Sequence, residues 1–290
     1  MKTVRAVAPY RHPGFLNFKA GPYEAWVKLE GQTAKAHYPM RALHGPAYRY
    51  ELPTIGKSTR EARLRFVEPV SLSFDTFPDY AHYEIIPFIW DCWPCYFEKM
   101  SRWMEKHQVK TAIFTSSQTA ERMRMQFNEI NVMYCPEGIG ISRFPKGKLL
   151  RERTTDVFEY GRGSKQAYSQ KLFQTRLTDA KLTIALPRSI THPDIADGIE
   201  TLTQRYWECM LSGIVMVGHA PKELTDLIKY NPVIEMDQEH PTEQIRDILT
   251  HIGDYQSLVD RNRETALRMG DWTLRMREVM KWLKKCGYEV

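Results

Sequence analysis

Cysteine is scarce: five stand in 290 residues, at positions 92, 95, 135, 209 and 286. So few, and an odd number, exclude a disulfide-built scaffold, and a reducing cytoplasm is the expected home. The opening MKTVRAVAPYRHPG lacks the apolar core of a secretory leader, so no signal peptide is expected. No stretch approaches the roughly 18 uninterrupted apolar residues of a membrane-crossing helix. Histidines never recur at the i, i+4 spacing of a helical zinc site, and HYP, HGP and HPD place single ones in loops. Internal repeats and low-complexity segments are absent. Charge of either sign is nearly balanced, 41 basic against 35 acidic side chains, a net of +6. That excess allows an anionic ligand such as a phosphate, or an anionic membrane surface, without demanding nucleic acid.

Apolar material is plentiful. With 42% apolar and 12% aromatic residues the chain can bury a real core, and its length suits about two ordinary domains. Residues 1–75, rich in Pro, Gly and Tyr, show little periodicity beyond a strand at TVRAVAP (3–9). Then the pattern clears. YEIIPFIW (83–90) reads as a buried strand. Residues 96–107 have helical spacing through Phe97, Met100, Trp103 and Met104. VKTAIFTSS (109–117) is a strand running into a Ser cap, with a helix over 118–127 and a strand at INVMYCPEGI (130–139).

The basic, Gly- and Pro-containing stretch GISRFPKGKLLRERTT (140–155) reads as a joint, dividing the chain into 1–150 and 151–290. A second series follows: strand DVFEYGR, helix 165–174, strand KLTIALP, helix 203–212, strand GIVMVG, a helix after Pro221, strand NPVIEM, and helices at 242–252, 254–268 and 272–285. Strands alternating with helices imply parallel sheets, so two Rossmann-like domains facing a cleft are expected.

Two motifs tempt and are set aside. Cys92 and Cys95 form a CxxC in FIWDCWPC (88–95), and Pro136 falls roughly where a thioredoxin has its cis-proline. A thioredoxin site has Trp before the first Cys, however, and here Asp91 is there, working against a lowered thiol pKa. GKST (56–59) echoes a P-loop, but Glu51 occupies the position of the required first glycine and no strand precedes it.

The segment that carries chemistry is GIETLTQRYWECMLSGIVMVG (198–218). Glu200 and Glu208 flank seven residues, between an incoming strand and a helix starting near Thr203. Free N–H groups at a helix start hold phosphates, and ligands of parallel sheets lie beyond the C-terminal strand ends. A carboxylate can accept both hydroxyls of a ribose. Glu208 has Trp207, Cys209 and Met210 beside it, and a charge in apolar company needs a partner.

RYWECMLSGIVMVG, with the earlier Glu200, resembles the E-x7-E signature of group 1, family 4-like retaining glycosyltransferases. VFEYGR (157–162), IALPRS, APKEL (220–224), YCPEGI (134–139), IWDCWP and the closing helices with Trp272 are similar to further segments of that family. The resemblance spans roughly 83–290. It implies an α/β protein of the GT-B fold with a reduced N-terminal domain. The N-terminal side (1–150) would receive the acceptor and the C-terminal side (151–290) a nucleotide sugar, with the last helix packing back on the N-terminal domain.

Site roles follow from the same resemblance. Glu208 would hold the donor ribose, and Glu200 would face the sugar near its 3- and 4-hydroxyls. Arg162 would neutralise the diphosphate, with Lys165 or Arg205 assisting. Gly161 and the amides of Thr201, Leu202 and Thr203 would contact the donor, and Asp91 is the acceptor-side candidate. The ITHPDIADGI stretch before Glu200 is an insertion relative to the family.

No cofactor or metal is expected; a nucleoside-diphosphate sugar is the substrate and a saccharide or lipid-linked hydroxyl the acceptor, as in bacterial surface polysaccharide or glycoconjugate synthesis. Nucleic acid is not an expected partner. The aromatic cluster Trp90, Trp93, Tyr96, Phe97 and Trp103 reads as helix packing first and as a peripheral membrane contact second. A nucleotide-sugar epimerase of the same fold, a non-catalytic binding protein and a CxxC oxidoreductase are the rival readings.

Overall fold

The computed structural model of the protein describes residues 1–9, 18–35, 56–161 and 169–290. Among the described residues eleven strands fall into two sheets. The first runs β11 (Tyr288–Glu289), β1 (Lys2–Val7), β3 (Glu61–Val67), β4 (Glu84–Ile89), β5 (Thr111–Phe114) and β6 (Asn131–Tyr134), and β2 (Thr33–Ala34) also pairs with β1. The second runs β10 (Ile234–Glu235), β9 (Val215–Gly218), β8 (Ala180–Ala185) and β7 (Thr155–Val157). Every pairing is parallel.

Parallel strands are covered by helices on both faces and therefore read as continuous apolar runs. β4, EIIPFI, is buried along its whole length. β3, EARLRFV, is buried too, yet carries charges at alternate positions. Arg65 is 2% exposed and lies 3.3 Å from Asp79. Arg63 pairs with Glu61 at 2.8 Å and stacks over the Tyr83 ring. Buried charges persist only when paired in this way.

The helices follow their sequence signals. The Phe97–Lys106 helix buries Phe97, Met100, Trp103 and Met104. Trp90 and Trp93 are buried as well, so this aromatic cluster is core. Ser116 caps the Ser117–Gln126 helix, its Oγ accepting the Thr119 N–H over 3.4 Å. The Gln204–Ser212 helix ends at Gly213, whose φ of 66° is the usual left-handed stop. Of the helix expected over 165–174, residues 165–168 lie outside the described residues, and a helix spans Gln170–Asp179; the strand expected at NPVIEM is only two residues long.

The chain crosses between the sheets twice, side by side. Ile139 N–H donates to Gly270 O over 2.7 Å, and Trp272 N–H returns to Ile139 O over 3.2 Å. A Cβ on Gly138 would stand 2.9 Å from Gly270 O, so only glycine allows this approach. Trp207 braces the junction, donating its Nε1–H to Glu137 O over 2.8 Å. Beyond it, the Trp272–Lys285 helix packs on the Ala20–Lys28 helix and β11 joins β1, so the C-terminus lies on the first sheet. Among the described residues no helix is long and apolar enough to cross a membrane.

Candidate active site

Between the two sheets lies a cleft of about 720 Å³. Phe18, Trp90, Asp91 and Trp93 line it from the first sheet, Glu137, Ile139 and Trp272 from the crossings, and Tyr160, Gly161, Thr201, Thr203, Arg205 and Glu208 from the second. Strand ends explain the choice of residues. Asp91 follows β4 in a left-handed turn, φ 49°, and the 201–205 segment opens the Gln204–Ser212 helix.

Three predicted residues, Glu208, Arg205 and Gly161, come together around Tyr160. Glu208 sits half-buried on the cleft wall, and Tyr160 OH donates to its Oε2 over 3.2 Å. Loss of hydration at this depth pushes the Glu208 carboxyl up to about 7, against the pull of the Tyr160 hydrogen bond and the Arg205 charge. Arg205 donates to Tyr160 O over 2.7 Å and lies over the Tyr160 ring, 4.8 Å from its centre. Gly161 makes room: a Cβ there would fall 2.0 Å from Arg205 Nη2, and its φ is 115°.

Thr201 and Thr203 also line the cleft, whereas Leu202 does not. The Leu202 side chain is fully buried and its N–H donates to Glu223 Oε2 over 2.8 Å. The expectation that this amide caps a phosphate is corrected accordingly. Glu200 is absent from the cleft lining. Its Oε1 accepts from Ser189 Oγ over 3.3 Å and lies 3.4 Å from His219 Nε2, while His219 Nδ1 is 3.0 Å from Glu235. Burial lowers the His219 pKa, but the Glu235 hydrogen bond and the Glu235 and Glu200 charges outweigh it, and the net shift is upward. Arg162 and Lys165 fall in 162–168, outside the described residues.

Sequence reasoning missed Glu137. It is 7% exposed, lines the cleft and accepts the Gln204 N–H. Burial, then the Asp91 charge, drive its carboxyl well above the ordinary range, with Glu223 and Glu208 adding to the effect. Burial among carboxylates thus favours the protonated form of Glu137, and in that form it can donate as well as accept. Its only trace in the sequence is a charged residue inside the apolar-flanked turn CPEGI.

The CxxC looks unlike a redox centre. Cys92 is buried and its thiol is pushed up by burial and by the neighbouring Cys95, the reverse of what a reactive thiolate requires. Among the described residues no group of His, Cys, Asp and Glu is arranged to hold a metal ion.

The sequence matches no protein-family model and no curated protein. Solved structures share the architecture. AviGT4, a glycosyltransferase involved in avilamycin A biosynthesis, superposes with a TM-score of 0.53 over 98% of this chain and 97% of that one, at 12% identity. TarM superposes with a TM-score of 0.50 over 77% of this chain and 54% of that one, at 13% identity. The chain has the GT-B fold. In GT-B terms the two sheets are the two Rossmann-like domains, and the cleft with Glu208 and Arg205 lies where they face each other.

Proposed function

We propose that the protein transfers a glycosyl group from a nucleoside-diphosphate sugar to a hydroxyl acceptor, with retention. The observation that carries this reading is Glu208. A carboxyl pushed up to about 7 is held by Tyr160 beside Arg205 on the wall of a GT-B cleft. Two ribose hydroxyls would replace water as its donors. A carboxyl whose pKa burial shifts this far, set in a cleft, has the character of a functional group.

The donor diphosphate lies against Arg205 and against the backbone at Gly161, Thr201 and Thr203, and Arg162 and Lys165 are the further cations assigned to it by the family resemblance. Leu202 takes no part, because Glu223 holds its amide. Glu200 reaches the sugar hydroxyls by exchanging its Ser189 bond for one of them. The acceptor enters past Trp90 and Asp91, and Glu137 donates a hydrogen bond into the same space. The bond from the anomeric carbon to the phosphate oxygen breaks as the bond to the acceptor oxygen forms. The acceptor proton passes to the leaving phosphate, so catalysis rests on stabilising the diphosphate charge and no metal or cofactor is required. Sugar and acceptor classes are those of polysaccharide or glycoconjugate synthesis, with a saccharide or lipid-linked acceptor. Five free thiols fit a cytoplasmic setting, at the inner membrane face where the acceptor is lipid-linked.

The test is product formation from UDP-, GDP-, dTDP-, CDP- and ADP-sugars with a panel of saccharide acceptors. Acceptor-dependent release of nucleoside diphosphate supports transfer. Conversion of the donor sugar without acceptor would instead indicate an epimerase.

A further inference from the structure

Glu223 opens the Lys222–Ile228 helix of the second domain and is 9% exposed. Its carboxylate collects donors from both domains. Oε1 accepts the Ser117 N–H over 2.6 Å and the Ser117 hydroxyl over 2.7 Å. The Tyr134 hydroxyl donates as well. Both residues belong to the first domain, at the start of a helix and the end of β6. Oε2 accepts the Leu202 N–H over 2.8 Å, from the turn that carries Thr201 and Thr203.

A second bond runs across the same seam: Glu200 N–H donates to Gln118 Oε1 over 2.9 Å. Around them Ala196 and Ile199, from the inserted segment, are buried in one apolar cluster with Trp93 and Phe97 of the first domain. Hydrogen bonds to an ionised carboxylate are roughly twice as strong as neutral ones, and this carboxylate holds several at once. Opening the cleft along this seam would break them together.

We propose that Glu223 is an interdomain latch that holds the cleft closed and sets the 200–203 turn against the first domain. Glu223 touches no substrate in the transfer reading and acts by positioning. The latch does not depend on that reading, and the test contains no nucleotide, so the two can fail separately.

The experiment is amide hydrogen exchange of the free full-length protein, comparing wild type with Glu223→Ala and Ser117→Ala. The reporter is the Glu200 N–H, whose acceptor is Gln118 and not Glu223. A latch predicts that Glu200 exchanges on the order of tenfold faster in Glu223→Ala, with the β4 amides still protected. Ser117→Ala should speed exchange at Glu200 and at Leu202, in the opposite domain, to a smaller extent. Unchanged Glu200 exchange in Glu223→Ala with β4 intact overturns the proposal. Should Glu223→Ala lose β4 protection as well, Ser117→Ala decides: faster exchange at Leu202 supports the latch, and wild-type exchange overturns it.

Discussion

The Tyr160 hydroxyl donates to the Glu208 carboxylate over 3.2 Å, across 48 residues of sequence. This contact joins the segment after β7 to the Gln204–Ser212 helix, and it fixes the Glu208 carboxylate on the cleft wall with Arg205 alongside. Because burial raises the Glu208 pKa to about 7, the native state holds its proton more tightly than the unfolded chain. Its stabilising contribution is fully present below the ordinary carboxyl range and is lost as pH rises to about 7. Glu208→Gln, which keeps the shape and an acceptor for Tyr160, should therefore raise the folding stability at pH 8 by about 1–3 kcal/mol, seen as a higher melting temperature, and by little at pH 5. Melting curves of both proteins at the two pH values check this.

Trp207→Phe keeps an aromatic ring but removes the donor to Glu137 O. The buried carbonyl loses its partner at the junction of the two crossings, and a loss of about 1–3 kcal/mol is expected. Urea unfolding of the variant, with unchanged slope, is the measurement.

Gly138→Ala places a methyl group 2.9 Å from Gly270 O and 3.1 Å from Trp272 Cα, both backbone atoms. Neither crossing can yield without moving the other. Destabilisation of about 1–3 kcal/mol is expected, read as a lower urea midpoint.

Much of this architecture was legible beforehand. β4, β8, β9 and the Gln204–Ser212 helix all carry the periodicity their environment requires. β3 escaped because Arg63 and Arg65 occupy a central strand, and a sequence does not display the Glu61, Asp79 and Tyr83 that neutralise or cover them. Glu208, Arg205, Gly161 and Asp91 were found through local motifs and do share the cleft. Glu200 belongs to the same motif yet is turned to His219 and Ser189. Glu137 and Glu223 gain their meaning from partners distant in the chain, Gln204 for one and Ser117 for the other. No local pattern announces such contacts.

The two cysteines of the CxxC should differ sharply in reactivity. Cys95 is exposed, whereas Cys92 is buried with its thiol pushed up. Iodoacetamide at pH 7.5 should label Cys95 and spare Cys92 in the folded protein, and mass spectrometry of the digested protein reads this directly. Equal labelling of both would reopen the redox reading.

The pH dependence of nucleotide affinity follows from Glu208 as well. In the proposed reading ribose hydroxyls donate to the ionised carboxylate, so binding should tighten as pH rises through about 7 and level off above it. Titrations from pH 5.5 to 8.5 would show the trend, and Glu208→Gln should flatten it.

The most direct test of the central claim is calorimetric titration of UDP, GDP, dTDP, CDP and ADP, each alone, into wild type and Glu208→Gln at pH 8. The account predicts that one nucleotide binds wild type and that the variant binds it at least tenfold more weakly, a loss of about 1.4 kcal/mol or more. Equal affinity in the two proteins, or no binding of any nucleoside diphosphate to wild type, would contradict it.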